Sequence, residues 1–225
     1  MKTNTISPTR KVVFMGLICA LAYASMFVFR IHVSFLTFDL KNVILAIGAL
    51  IFGPFSGIIT SLVVSVIEMI TISDTQIWGC LMNFLSSAIY VAIAGLIYKY
   101  KRTLFGAIIG LIVASVAMTA AMIPLNLLIT PIYTGAPVQT VKEMIIPLLL
   151  PFIAIKAVLS SAVTLLIYKP VSTIFKSAGV GFNNDKSFKI SAKSVILAIA
   201  SIIIIAICIV LFFVYYNGSF ELFKK

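Results

Sequence analysis

The sequence predicts an all-α integral membrane protein: a bundle of six spanning helices and an additional C-terminal transmembrane helix. Two observations predict this class. The 225-residue chain is 62% hydrophobic and only 10% charged, which is far from the composition of soluble domains. Long apolar runs also recur along it, with most Lys and Arg in the short segments between them, and runs of about eighteen apolar residues are typical of transmembrane helices.

Seven apolar runs are assigned as spans. In chain order they are Val12–Phe29, Asn42–Phe52, Phe55–Ile72, Ile77–Tyr98, Leu104–Thr130, Ile145–Tyr168 and Val195–Tyr216. The first begins like a secretory signal peptide, with basic residues before an apolar run. Because the run continues past the alanines where cleavage would occur, we interpret it as a span. The predicted organisation is a six-span core over residues 1–171, a basic linker over 172–194, and the last helix with a short tail over 195–225.

The second and third spans come from one apolar stretch that a single helix cannot accommodate. As one helix, Asn42 to Ile72 would be about 46 Å long, whereas the hydrocarbon core of a bilayer is about 30 Å thick. Gly53-Pro54 interrupts the stretch near its middle, and proline disfavours helix both at its own position and at the residue before it. We therefore predict two helices joined by a tight turn.

The distribution of Lys and Arg supports two spans in this stretch. With the N-terminus in the cytoplasm, eleven of the 17 Lys and Arg then fall on the cytoplasmic side, five fall outside, and Lys156 lies within a span. A single span would move the clusters at 99–102 and 169–193 outside and reverse the positive-inside bias. We predict a cytoplasmic N-terminus and an external C-terminus. Since the net charge of +11 is scattered between spans rather than gathered on one module, it does not point to nucleic acid.

Polar residues within the spans are concentrated towards the predicted outer side. They are Glu68, Asn83 and Asn126 near the outer ends of their spans, with Arg30, His32 and Asp39 in the first external loop. Lys156 lies deeper and would cost about 2.5–3.5 kcal/mol if it faced lipid, so we expect it to meet a ligand or an acidic partner. Each asparagine alone is equally explained as a hydrogen bond between helices. The set as a whole indicates an outward-facing polar pocket.

Other sequence patterns limit the classes of function further. Gly16, Ala20 and Ala24 recur at every fourth residue of the first span, a smooth face that suits either internal packing or a docked partner helix. The sequence contains no GxxxxGK[ST], HExxH or GxSxG motif, and its three cysteines are isolated within apolar runs. We therefore expect no catalytic residues and no metal site, and we interpret the cysteines as buried small hydrophobes.

Four segments carry a resemblance to a known family. They are FLTFDLKNVILAIGALIFGPFSG (35–57), IEMITISDTQIWGCLMNFLSS (67–87), LNLLITPIYTG (125–135) and LLPFIAIK (149–156). They resemble the riboflavin-specific substrate-binding (S) components of energy-coupling-factor (ECF) transporters, over about Val12 to Val171. The FGP turn is shared by several S components. The Phe-Asp-x-Lys, Asn-x-x-Ile-Thr-Pro-x-Tyr and Leu-Pro-Phe-x-x-Ile-Lys segments are more specific to the flavin group.

The resemblance implies a six-helix protein of the prokaryotic cell membrane that captures a vitamin from outside and carries no cofactor of its own. Its implied partners are an ECF transmembrane scaffold subunit and two cytoplasmic ATPases. The implied docking surface is the face of Gly16, Ala20 and Ala24, of which the two alanines match the family's AxxxA pattern. The implied ligand-binding residues are Leu36, Phe38, Asp39 and Lys41 in a loop covering the ligand, and Asn83, Asn126 and Lys156 at the level of the ligand. For a flavin, Phe35, Leu36 and Phe38 would supply apolar walls.

Two features depart from the family pattern. Ile153 stands where the family usually has Asn, in LPFIAIK, and the lost amide would remove a hydrogen bond worth about 1 kcal/mol. The ligand is therefore riboflavin, flavin mononucleotide (whose phosphate would suit the Lys156 ammonium) or a different small vitamin. The second departure is Val195–Tyr216, a seventh span beyond the six-helix core. A membrane-embedded enzyme and a scaffold without a ligand are further alternatives, which the sequence supports less well.

Overall fold

The computed structural model describes residues 7–33, 36–72, 76–177 and 192–216. The elements in chain order are α1 (Pro8–Val28), β1 (Arg30–Val33), β2 (Leu36–Asp39), α2 (Lys41–Phe52), α3 (Pro54–Thr71), α4 (Gln76–Tyr100), α5 (Leu104–Thr134), α6 (Val138–Met144), a π-helical turn (Ile145–Leu149), α7 (Leu150–Ser177) and α8 (Ala192–Tyr216). The predicted wall residue Phe35, much of the predicted linker and the C-terminal tail lie outside the described residues.

All seven predicted spans are helices, and most of their ends are close to those predicted. Within the described part of the chain, six helical runs are long and apolar enough to cross a membrane, and the seventh, α2, has only twelve residues. This short helix lies at the centre of the bundle, in contact with α1, α3, α4 and α7. All of its residues except Ile44 are buried. Neighbouring helices, rather than lipid, therefore surround a helix of about 18 Å that is too short to span the bilayer.

The interruption between α2 and α3 is the predicted tight turn. Gly53 ends α2 and precedes α3 with φ of 95°, a backbone conformation that residues with a Cβ rarely adopt. Pro54 occupies the first turn of α3, where a missing backbone N–H costs nothing because no helical acceptor exists for it. Only Gly53 thus separates the end of α2 from the start of α3 at Pro54.

Buried hydroxyl groups connect the central helices. Ser87 on α4 donates to the side-chain oxygen of Asn42 on α2 at 2.7 Å. Further along α4, Tyr90 is hydrogen-bonded to Ser161 on α7 at 2.7 Å, and Ser161 is hydrogen-bonded in turn to Ser115 on α5 at 2.8 Å. These contacts satisfy polar groups that lipid could not satisfy, and they fix how the four helices pack.

Two local features differ from the sequence prediction. The first external loop is an antiparallel hairpin, with Arg30 opposite Asp39 and Val33 opposite Leu36, so the all-α class has one short β exception. Four-residue strands give too little alternation to be read from sequence.

In addition, α7 continues through Pro170 to Ser177, into the segment predicted as linker. Proline removes only one helical hydrogen bond, and the turns on either side can retain theirs.

The hairpin defines one end of the bundle, called the hairpin end below. It follows the last residue of α1 and precedes the first of α2. The end of α3 and the start of α4 reach the same level, because Glu68 on α3 contacts both Lys41 and Asn83. Phe212 in the last turns of α8 packs against Phe38 of the hairpin. The C-terminal end of α8 and the N-terminal end of α1 therefore lie at opposite ends of the bundle.

Candidate functional site

Asp39 is the centre of a buried charge network at the hairpin end. It is fully buried at the end of β2, and one carboxylate oxygen lies 2.9 Å from Nζ of Lys156 and 3.9 Å from Nζ of Lys41. Its other oxygen accepts a hydrogen bond from the backbone N–H of Lys41 at 3.2 Å. The carboxylate thus lies at the N-terminus of α2, where a negative charge is favoured by the helix dipole. One side chain joins the hairpin to α2 and α7.

Lys41 extends this network to α3 and α4. Its ammonium group is 2.5 Å from Oε2 of Glu68, and the other oxygen of Glu68 accepts a hydrogen bond from the side-chain amide of Asn83 at 3.0 Å. Lys41 and Glu68 are only 1% and 2% exposed. Such deep burial of charge is tolerated only when the groups are paired and hydrogen-bonded. The four charged groups, two lysines and two carboxylates, sum to zero.

Lys156 reaches the network from α7. Besides Asp39, its ammonium group donates to the backbone carbonyl of Thr37 at 2.9 Å. The helix that carries it starts irregularly, since Pro147 lies in the π-helical turn Ile145–Leu149 and Pro151 follows in the first turn of α7. Short π-helical segments occur often at functional sites, where they alter the direction of a helix. The acidic partner expected for Lys156 is therefore Asp39, which belongs to the chain itself.

The electrostatics of Asp39 follow from these neighbours. Burial alone would raise the pKa of this carboxyl group, but the ammonium groups of Lys156 and Lys41 and their hydrogen bonds hold its pKa below the ordinary value of 3.8. Opposite charges within about 4 Å stabilise the ionised form. Asp39 is thus a carboxylate at neutral pH, and it holds two ammonium groups at the same end of the bundle.

Aromatic rings form an apolar wall beside the network. Phe38, next to Asp39 on β2, packs edge-to-face against Phe152 on α7, with ring centroids 6.2 Å apart. On another side it packs against Phe212 on α8 at 5.3 Å. All three rings are buried, and Leu36 packs partly buried against the same core. The hairpin therefore combines the polar and apolar groups that a small-molecule site requires.

The two predicted ligand-binding asparagines differ from each other in their hydrogen-bond partners. Asn83 belongs to the charge network through Glu68. Asn126 is buried, and its amide donates to the carbonyl of Met122 at 2.7 Å and accepts from Thr130 at 3.0 Å, both on α5. Both hydrogen bonds of this amide group are thus made within α5. Ile153, at the position of the family's Asn, lies in the apolar core, 5% exposed.

The predicted docking face on α1 points away from the bundle. Gly16, Ala20 and Ala24 are exposed, and a Cβ added at Gly16 would meet no atom within 4 Å. The buried face of α1 consists instead of Ile18, Ala22 and Met26. The small-residue face is therefore not used for packing within the described residues, which removes the simplest alternative to a docked partner.

The sequence indicated Glu68 as a polar pocket residue but not its ion-pair partner, and it did not indicate the aromatic residues Phe152 and Phe212. Glu68 is recognisable as an acidic residue in an apolar span, but its partner Lys41 is 27 residues away. Phe152 lies in the Leu-Pro-Phe-x-x-Ile-Lys segment, although its contact with the hairpin could not be predicted from it. Phe212 is one of the 17 phenylalanines in the chain, and no local pattern distinguishes it. Among the described residues, no three His, Cys, Asp or Glu are gathered as metal ligands.

Comparisons with known proteins found a matching family and named relatives. The model of the family "ECF transporter, substrate-specific component" matches residues 10–168. The riboflavin transporter RibU of Staphylococcus aureus (strain TCH60) is 29% identical over 148 residues, covering 63% of this chain and 78% of the relative. The riboflavin transporter FmnP of Bacillus subtilis (strain 168) is 26% identical over 172 residues, covering 71% and 90%.

A solved structure is similar in fold as well as in sequence. It is described as "Structure and mechanism of the S component of a bacterial ECF transporter", with a TM-score of 0.64 and 29% identity. The match covers 98% of that chain but 75% of this one, and the family model stops before α8. The similarity therefore covers the hairpin, the charge network and α1 to most of α7.

Proposed function

The chain belongs to the substrate-specific components of ECF transporters, and from this membership we propose that it captures riboflavin at the hairpin end of the bundle. Two relatives named as riboflavin transporters support this ligand. The observation that carries the proposal is the joining of Lys156 to the hairpin, through Asp39 and the Thr37 carbonyl. A binding site requires side chains that are held in position by packing and by hydrogen bonds, and these two contacts hold Lys156 against the hairpin.

The charge balance of the network favours a neutral flavin. Lys156 has three N–H donors, and among the described residues Asp39 and Thr37 accept two of them. We assign the third donor to a carbonyl or hydroxyl oxygen of the ligand. Since the two lysines are already balanced by Asp39 and Glu68, a phosphate would bring uncompensated negative charge. Riboflavin is therefore the first candidate and flavin mononucleotide the second.

The site residues proposed for the ligand are those that line this end of the bundle. They are Leu36, Phe38, Asp39 and Lys41 on or next to the hairpin, with Asn83, Asn126 and Lys156 on the helices. Lys156 is proposed as the direct donor, and Phe38 as an apolar wall for the ring system. Lys41 and Asn83 act through Asp39 and Glu68, which hold the network together.

Fluorescence titration tests this assignment. Lys156→Met should weaken riboflavin binding by about 1.5–3 kcal/mol, since a charge-assisted hydrogen bond is lost. The matched control is Lys142→Met, on the exposed side of α6, which should leave the affinity unchanged. Because Lys156→Met also leaves Asp39 without its closer partner, the double variant Lys156→Met with Asp39→Asn is measured as well. Full affinity in the double variant would refute the role of Lys156 as a ligand donor.

The same titration distinguishes the ligands. Tighter binding of flavin mononucleotide than of riboflavin would overturn the charge argument, although a flavin would remain the substrate. Quenching by neither flavin would favour a different small vitamin, an alternative that rests on Ile153. That apolar side chain is buried where the family's Asn would offer an amide.

We further propose that transport requires two cytoplasmic ATPases and a membrane scaffold subunit, and that the scaffold subunit docks on the face of Gly16, Ala20 and Ala24. Hydrolysis of ATP is assigned to those partners and no catalytic step to this chain. The exposure of this face on α1 supports the assignment. The distribution of Lys and Arg supports a cytoplasmic N-terminus and an external hairpin end. Single cysteines at Lys101 and Gln139 should then be labelled from opposite sides of the membrane, and labelling from one side would refute this orientation.

A further inference from the structure

The last helix, α8, lies beyond the residues that the family model matches and contacts the bundle along one stripe. Ser201, Cys208 and Phe212 are buried, and Ile205 packs partly buried against the core. Their spacing of three to four residues places all four on one side of the helix. Most other large side chains of α8 are exposed, as expected for a helix that faces lipid. The element that α8 mainly contacts is α7.

The stripe ends at the hairpin rather than on α7 alone. Phe212 lies 5.3 Å from Phe38, centroid to centroid, and Phe38 lies 6.2 Å from Phe152 of α7. Phe38 is thus held between two helices. The residues on either side of it, Thr37 and Asp39, are those that accept hydrogen bonds from Lys156. A change at Phe212 would therefore act on the strand residue between the two acceptors of the network.

A hairpin of two four-residue strands has little stability of its own. Isolated two-stranded hairpins are marginally stable at best in water, so contacts from outside must fix this one. Lys156 supplies the polar contact through Asp39, and the aromatic contacts of Phe38 supply the apolar one. Half of that aromatic clamp comes from a helix that the six-helix core does not include.

We propose that α8 is a positioning element for the hairpin: Phe212 holds Phe38 and so keeps Asp39 at Lys156. The seventh helix thereby controls how readily the hairpin opens. As regards ligand release, this inference rests on the proposed function, because the hairpin is taken as the cover of the flavin. Phe212 is a positioning residue that does not itself touch the ligand. The competing explanation, that α8 only anchors the chain in lipid, predicts no specific effect of this ring.

Hydrogen exchange on the full-length chain in nanodiscs tests the inference without a ligand. Phe212→Ala should increase exchange of the amides in the two hairpin strands, residues 30–33 and 36–39, by about tenfold, the upper range for one aromatic pair. Amides in the interior of α4 should be unchanged. The matched control is Leu211→Ala, a substitution at a half-exposed neighbour on α8, which should leave the hairpin unaffected. Phe212→Leu, which keeps much of the apolar contact, should restore most of the protection.

Unchanged hairpin exchange in Phe212→Ala would overturn the proposal, whichever ligand the protein binds. Equal acceleration in α4 and in the hairpin would also overturn it, because α8 would then stabilise the whole bundle. If wild-type protein quenches riboflavin fluorescence, the dissociation rate should rise by about tenfold in Phe212→Ala and not in Leu211→Ala. Failure of wild-type protein to bind riboflavin would count against the proposed function alone, since the exchange experiment needs no flavin.

Discussion

Replacing Glu68 by Gln should destabilise the protein more than a typical single change at its surface. The substitution keeps the shape of the side chain but removes the charge 2.5 Å from the Lys41 ammonium group, which is 1% exposed. Removing one partner of a buried ion pair generally costs about 3–5 kcal/mol. Here Asp39 remains 3.9 Å from Lys41 and can compensate in part. We therefore expect a loss of about 3 kcal/mol in the free energy of unfolding.

A double-mutant cycle isolates this interaction. Unfolding in SDS is followed by the fluorescence of Trp78, the single tryptophan of the chain. The free energies of unfolding of Glu68→Gln, Lys41→Met and the double variant are compared. The double variant should lose much less stability than the two single variants lose together, because no buried charge then lacks its partner. Glu143→Gln on α6 makes the same chemical change at an exposed site and should shift stability by less than about 0.5 kcal/mol. A similarly small effect of Glu68→Gln, or strict additivity in the cycle, would refute the buried pair.

Two further predictions concern pH and coupling. Because the pKa of Asp39 is held below 3.8, its ion pairs should contribute fully above that pH and be lost as pH falls through the lower folded value. The stability gap between wild type and Asp39→Asn should thus be constant from pH 8 to 5 and shrink in stronger acid; a gap that widens in acid would contradict this sign. Ala20→Trp should block uptake by the assembled transporter while riboflavin affinity stays within about twofold. Ile112→Trp, at an exposed site on α5, should impair neither. An equal loss of binding in Ala20→Trp would contradict the docking role of this face.

The charge network at the hairpin could be predicted only in part from the sequence. The sequence places Asp39 and Lys41 in one loop, and it identifies Lys156 as a charge that must find a partner. It does not indicate which carboxylate that partner is, because Asp39 lies 117 residues away in the chain and local sequence carries no information on contacts over such a distance. Chain folding decides this pairing: Glu68 is used by Lys41 on the neighbouring helix, and Asp39 is left to Lys156.

The sequence by itself determined the class of fold, the number of spans, the break at Gly53-Pro54 and the small-residue pattern of α1, although not that this face is exposed. These features depend on composition, local backbone chemistry and charge distribution along the chain, all of which act over a few residues. Tertiary structure alone decided that Asn126 makes its hydrogen bonds within α5 and that Phe212 meets Phe38. The physical reason is that the lipid-facing side and the core-facing side of a membrane helix are similarly apolar. Hydrophobicity therefore cannot distinguish one side from the other. Side-chain packing and buried polar pairing, which join residues far apart in the chain, make that distinction.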